Sequence, residues 1–179
     1  TIEGGCIASI DESFINRCRR IKNYGRTKDQ YVHDIIGTNW RTTELASAIG
    51  LEQLKFVDDT IRRRRHVLNR YLKELEGPIS FQGGSLGNVS SAMFAFVLLD
   101  DGRAPKVLFE LNKIGIDARR IWMPLHLQPC VQTDMRVLWE DCPNAETIYK
   151  NTISLPISNG ITDTEVDTII KEFNRLINM

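Results

Sequence analysis

The chain has 179 residues, which at about 150 per domain gives one domain, or one domain with an appendage. Hydrophobic residues at 42% and charged residues at 26% exclude wholesale disorder and collagen-like or fibrous architectures. The 23 Lys and Arg cancel the 23 Asp and Glu, so the positive excess of a dedicated nucleic-acid binder is missing.

Gly4 to Ile10 read as a short buried strand, and Asp11 offers an N-cap for a helix carrying Phe14, Ile15, Cys18 and Ile21. Gly25 ends that helix. Residues 26–40 lack sustained periodicity and contain Gly37, Thr38 and Asn39. They form a long loop, and a loop of that length in a compact domain is more often functional than idle. From Thr42 to Glu76 the spacing of Leu54, Val57, Ile61, Leu68, Leu72 and Leu75 predicts one long helix, with a bend or close helix contact at Gly50. Arg64 falls on its apolar stripe, so its head is expected to reach a carboxylate, a carbonyl or the solvent edge. The run Arg62 to Arg65 points around the whole helix circumference. It therefore reads as a solvated helix with one anchored arginine rather than a nucleic-acid patch.

Gly77 and Pro78 break the helix, and the stretch to Val89 is a turn-rich boundary. Beyond it the pattern gives a strand over 92–99, a helix over 105–114, a short strand over 116–119 and a loop. A helix near 145–150, a strand over 152–155 and a helix over 166–177 follow. Thr162 with Glu165 makes a capping box for the last helix. Strands separated by helices argue for an α/β layer, a small sheet covered by helices.

No apolar run approaches the ~18 residues of a membrane span, and Thr1 to Ser9 lack a signal peptide's basic flank and apolar stretch. A cytoplasmic setting is expected, with no membrane partner. Cys6, Cys18, Cys130 and Cys142 form no CxxC pair, and His33, His66 and His126 are equally scattered. Free, partly buried thiols are expected and a zinc site is not.

Two stretches carry chemistry. Gly37 to Thr43 puts an amide (Asn39), an indole (Trp40) and a guanidinium (Arg41) just before a helix N-terminus, a geometry suited to phosphate or to a simple capping loop. Arg119 to Pro129 gathers Arg119, Trp122 and His126 on a loop with two prolines; taken alone, His126 reads as a binding or a hydrogen-bonded structural histidine. There is no GxSxG, Walker loop or GxGxxG, and no complete catalytic set.

Four motifs, in order, are the start Thr1-Ile2-Glu3-Gly4-Gly5, the loop Gly37 to Arg41, the helix opening Glu44 to Leu54, and Trp122-Met123-Pro124-Leu125-His126. Together they resemble the DegT/DnrJ/EryC1/StrS family of nucleotide-sugar aminotransferases, over essentially the whole chain. The resemblance implies an α/β fold, the carboxyl-terminal portion of the fold type I pyridoxal-phosphate transferase (aspartate aminotransferase) architecture. Residues 1–41 would be a remnant of the large domain with a cofactor and dimer loop, 42–76 the long connecting helix, and 77–179 the small α/β domain. It also implies pyridoxal 5′-phosphate as cofactor, a homodimer, and glutamate as amino donor to a nucleotide-sugar substrate.

By the same resemblance the Schiff-base lysine precedes the Glu-Gly-Gly motif and would fall upstream of Thr1. No catalytic residue is therefore expected here, and the chain alone is expected to be inactive. The asparagine matching Asn39 reaches the cofactor phosphate of the other subunit, and the arginine matching Arg41 lies toward the anionic nucleotide. The loop holding Arg119, Trp122 and His126 helps shape the sugar pocket. The family often has Arg-Pro where this chain has Arg119-Arg120. The wording around Trp122 resembles members acting on 4-keto-6-deoxy sugars, such as perosamine and bacillosamine-type transaminases, which serve cell-surface polysaccharide or glycan biosynthesis. The competing class is a non-catalytic dimerisation or binding module derived from such an enzyme.

Overall fold

The computed structural model describes residues 3–28, 31–82, 90–133 and 141–179. It divides into two compact units, Thr1–Val57 and Asp58–Met179.

In the first unit α1 spans Glu12–Ile21. It starts where expected because Asp11 Oδ1 accepts from Phe14 N at 3.1 Å and from Ser13 Oγ at 2.8 Å. These bonds hold the Asp11 carboxyl below the usual carboxylate range. Past the C-terminus, Gly25 N donates to Arg20 O at 2.8 Å, with Gly25 at φ +71°. A Cβ there would lie 1.8 Å from Ile35 O, so only glycine closes this turn. The loop then folds back through isolated bridges Arg26↔His33 and Asn23↔Asn39. The strand expected over Gly4–Ile10 is absent: those residues are exposed, and among the described residues no ladder partner lies beside them.

The helix expected over 42–76 is two helices, α2 (Glu44–Leu54) and α3 (Val57–Glu74). Gly50 sits inside α2. The break falls at Lys55 and Phe56, whose N–H groups turn back to Glu52 O (3.2 Å) and Gln53 O (3.1 Å) instead of the i−4 carbonyls. Apolar spacing carries across such a break, which is why the periodicity read as continuous.

The second unit is a four-stranded antiparallel sheet in the order β1-β2-β4-β3. The strands are β1 (Ile79–Phe81), β2 (Ala95–Leu99), β3 (Arg119–Arg120) and β4 (Thr152–Leu155). The register sets Val97 against Ile153 and Ala95 against Leu155. One face of the sheet thus meets Val67 and Tyr71 of α3, Leu111 of α4 (Ala104–Lys113), and Val166 and Phe173 of α7 (Asp163–Ile177) in one core. The opposite face carries Phe96 beside Ser154, with Arg119 on the far side of Ser154.

β4 matches its expected span. The capping box is present, with Glu165 N donating to Thr162 Oγ1 and Thr162 N to Glu165 Oε2, and it starts α7 three residues before the expected Val166. The expected strand over 92–99 begins at Ala95, because Ala92 has φ +53° and cannot enter a ladder. The strand expected over 116–119 pairs only at Arg119–Arg120, since Ile116 N closes the end of α4 on Leu111 O and Ala118 N turns back to Ile116 O. The helix near 145–150 is α6, Pro143–Asn151. Inside the expected boundary over 77–89 lies β1, three residues too short to show a period; residues 83–89 are outside the described residues. A 3₁₀ turn (Leu125–Leu127) and the four-residue α5 (Pro129–Gln132) fall in the expected loop.

The arginine run departs from expectation. Arg63 donates to Ile161 O (Nε, 3.2 Å) and Asp163 Oδ1 (Nη1, 2.8 Å), and Arg65 to Ser90 O (2.6 Å). Arg64 Nε is buried and unbonded. The anchors are therefore Arg63 and Arg65, each of which bonds a carbonyl beyond the helix. Cys6, Cys130 and Cys142 are exposed and Cys18 is half-buried, and none of the four forms a disulfide. Among the described residues no helix is long and apolar enough to cross a membrane.

Candidate functional site

In the first unit the loop before α2 is clamped onto the end of α1. Thr38 N donates to Ile21 O (2.9 Å), Tyr24 N to Thr38 O (3.0 Å) and Trp40 N to Lys22 O (2.9 Å). The approach requires Gly37, where a Cβ would lie 2.2 Å from Gly25 N and 2.6 Å from Ile21 O. This clamp fixes the backbone on both sides of Asn39.

Asn39 Oδ1 accepts from Arg41 Nε at 3.1 Å and from Arg41 N at 3.4 Å. Both approaches come from donors, so the carboxamide oxygen faces Arg41 and the amide N–H groups face away. The Arg41 guanidinium also lies 5.6 Å from the centre of the Tyr24 ring. Its terminal N–H groups remain beside the amide, both residues are exposed, and Thr43 caps α2 just downstream by accepting from Ala46 N at 3.2 Å. The result is a set of N–H donors to which, among the described residues, no carboxylate is bonded, suited to an oxyanion such as a phosphate. It thus fits an anionic cofactor or substrate group.

In the second unit, Arg119, Trp122 and His126 each have a partner of their own. Arg119 makes a bidentate bond to Asp117 (Nε to Oδ1 3.1 Å, Nη2 to Oδ2 2.8 Å). The pair pushes the Asp117 carboxyl down and the guanidinium up. Arg120, across the pleat, lies 5.3 Å from the Tyr149 ring centre. Trp122 stands edge-on to Phe94 at 5.0 Å and to Phe96 at 5.9 Å, while the two phenylalanines stack at 5.1 Å. An exposed indole is thereby backed by a rigid aromatic pair on the sheet face away from the core.

His126 sits in the 3₁₀ turn, which is closed by Leu127 N to Pro124 O and Gln128 N to Leu125 O, both 3.0 Å. Its side chain is only 10% exposed, and Nε2 lies 3.3 Å from Glu146 Oε1 on α6. Glu146 Oε2 also accepts from Lys150 Nζ at 3.3 Å. The bond from His126, then that from Lys150, holds the Glu146 carboxyl below its usual range.

Sequence reasoning missed Tyr24, Phe94, Phe96, Asp117 and Glu146. The i, i+2 spacing of Phe94 and Phe96 around Ala95 is a strand-face signal that could have found the platform. Glu146 is 20 residues from His126, and no local pattern links them.

A profile of the DegT/DnrJ/EryC1/StrS aminotransferase family matches residues 1–174. The chain is 30% identical over 177 residues to EpsN of Bacillus subtilis strain 168, which is named for pyridoxal phosphate-dependent aminotransfer; the match covers 96% of this chain and 45% of EpsN. It is 30% identical over 180 residues to the GDP-perosamine synthase of Vibrio cholerae, covering 93% of this chain and 46% of that protein. Among solved structures, the sugar aminotransferase Spr1654 of Streptococcus pneumoniae in its PMP form superposes with a TM-score of 0.80 at 25% identity, over 94% of this chain and 44% of that one. The chain thus spans about half the length of the curated relatives it matches.

Proposed function

The chain belongs to the DegT/DnrJ/EryC1/StrS aminotransferase family, and from that membership we propose that it is the carboxyl-terminal part of an enzyme that moves an amino group from glutamate to a nucleotide-linked keto-deoxysugar. A 4-keto-6-deoxyhexose is the proposed sugar, in keeping with the GDP-perosamine synthases among its relatives. A cytoplasmic homodimer is the proposed assembly, and the residues 1–41, 42–76 and 77–179 are proposed as large-domain remnant, connecting segment and small domain. The observation that carries the reading is the paired geometry of Asn39 and Arg41, an amide whose oxygen is already occupied beside a guanidinium whose terminal N–H groups make no hydrogen bond among the described residues.

Pyridoxal 5′-phosphate is the cofactor of the family, and when bound it supplies the electron sink for moving the amine. In this proposal the Asn39 amide donates to the cofactor phosphate. Arg41 takes the diphosphate of the nucleotide sugar through its terminal N–H groups. Trp122, held by Phe94 and Phe96, forms an apolar wall for the 6-deoxy face of the sugar, and His126 bonds a sugar hydroxyl. Arg119 reaches the substrate only by exchanging Asp117 for it. The Schiff-base lysine is proposed to lie upstream of Thr1, so in this reading these 179 residues act by binding and orientation.

The test is to incubate the whole protein with glutamate and GDP-, UDP- or dTDP-linked 4-keto-6-deoxyhexose. An amino-sugar nucleotide with matching 2-oxoglutarate is the expected product. Failure with all three nucleotides, in protein that binds the cofactor, would leave the non-catalytic binding module as the better reading.

A further inference from the structure

His126 has two ring nitrogens, and a hydroxyl of a sugar can use only the one the protein leaves open. Nε2 faces Glu146 Oε1 at 3.3 Å, and an ionised carboxylate accepts but cannot donate. The bond therefore exists only when Nε2 carries the proton. In the neutral ring this leaves Nδ1 as the acceptor, and among the described residues nothing bonds to it. The turn gives the ring little freedom to exchange the two, because it is 10% exposed and its backbone is closed by hydrogen bonds on both sides. Glu146 is itself tethered: it lies on α6, one turn before Lys150, whose ammonium holds the second carboxylate oxygen at 3.3 Å.

We infer that Glu146 is a positioning residue, which fixes His126 in the Nε2–H form so that Nδ1 is the atom presented to a donor hydroxyl of the sugar. The inference rests on the assignment of His126 to the substrate, but its first half is a property of the free chain. Lys150 serves it indirectly, keeping the Glu146 oxygens oriented between the ammonium and the imidazole. The arrangement is a carboxylate orienting a histidine, in which the hydrogen bond on one ring nitrogen selects the chemistry of the other.

Long-range ¹H–¹⁵N correlation spectra of the histidine-labelled chain, with His126 assigned by loss of its signals in His126→Gln, read the tautomer directly. The wild type should show the Nε2–H pattern. Glu146→Gln, whose amide oxygen can still accept, should keep it, while Glu146→Ala should shift the population toward Nδ1–H. An Nδ1–H pattern in the wild type, or an unchanged pattern in Glu146→Ala, overturns the inference. In the whole enzyme, Glu146→Ala should raise the KM for GDP-4-keto-6-deoxyhexose about two- to tenfold, the worth of one ordinary hydrogen bond. Glu146→Gln should restore it, and the glutamate half-reaction should not change. A KM raised equally in both variants makes Glu146 a structural tie and overturns its positioning role. The correct tautomer with no KM change in either overturns the assignment of His126 to the sugar instead.

Discussion

Replacing Gly77 by alanine probes a place where the turn after α3 is pressed against α7. Gly77 has φ +105°, and a Cβ there would lie 2.3 Å from Ile177 Cγ2. Ile177 is buried at 5% exposure, and as a β-branched residue it has few rotamers to retreat into. The turn around Gly77 is also pinned to α7, by Asn174 Nδ2 to Glu74 O at 2.8 Å and Glu76 N to Asn174 Oδ1 at 2.9 Å. Backbone strain alone costs about 1–2 kcal/mol for alanine at such a φ. Forcing a methyl into a filled site adds about 1–3 kcal/mol, so Gly77→Ala should cost about 2–5 kcal/mol. Gly102 supplies the control, since it has φ +75° with nothing within 4 Å of its Cβ position. Gly102→Ala should cost only the strain, about 1–2 kcal/mol. Urea unfolding of the full chain with unchanged m-values reads both. In an Ile177→Ala background the excess cost of Gly77→Ala should vanish. Equal costs at Gly77 and Gly102, or an excess that survives Ile177→Ala, would refute the steric argument.

Tyr71 is fully buried and donates to Pro156 O at 2.7 Å, and burial pushes its phenol well above the ordinary value. The unfolded phenol ionises near pH ~10 while the folded one stays protonated, so its contribution is complete below that pH and is lost as pH rises further. Tyr71→Phe should lessen the alkaline fall in urea midpoint between about pH 8 and 11 and cost about 1 kcal/mol at neutral pH; an unchanged alkaline slope would contradict this. Arg41→Ala in the whole enzyme should raise the KM for the nucleotide sugar far more than that for glutamate, because only the former carries a diphosphate. Equal effects in steady-state assays would move Arg41 to the cofactor or the helix start. Mixed with pyridoxal phosphate and borohydride, the 179-residue chain should show no single labelled lysine by peptide mass mapping. One specific adduct would place the nucleophile inside it.

Local rules were legible wherever one residue settles a backbone group. Asp11 and the Thr162–Glu165 pair each bond the helix start that follows, and their chemistry acts over three residues. What needed a partner distant in sequence was not legible. Gly4–Ile10 has the composition of a strand but no described ladder to join. The break at Lys55–Phe56 leaves the apolar period intact on either side. At the site, Asn39 and Arg41 are two residues apart, so the pattern of an amide beside a guanidinium could be read directly. The bond from His126 to Glu146 joins a 3₁₀ turn to a helix, and the platform under Trp122 comes from another strand. Only the folded chain brings these together.

The most direct test of the anion site compares pyridoxal phosphate with pyridoxal, which lacks the phosphate, in the whole protein and in its Asn39→Ala variant. If the Asn39 amide donates to the phosphate, the variant loses a charge-assisted hydrogen bond of about 1.5–3 kcal/mol. Its Kd for pyridoxal phosphate should then rise about 10- to 150-fold while that for pyridoxal stays the same. Equal weakening of both ligands, or of neither, would contradict the account.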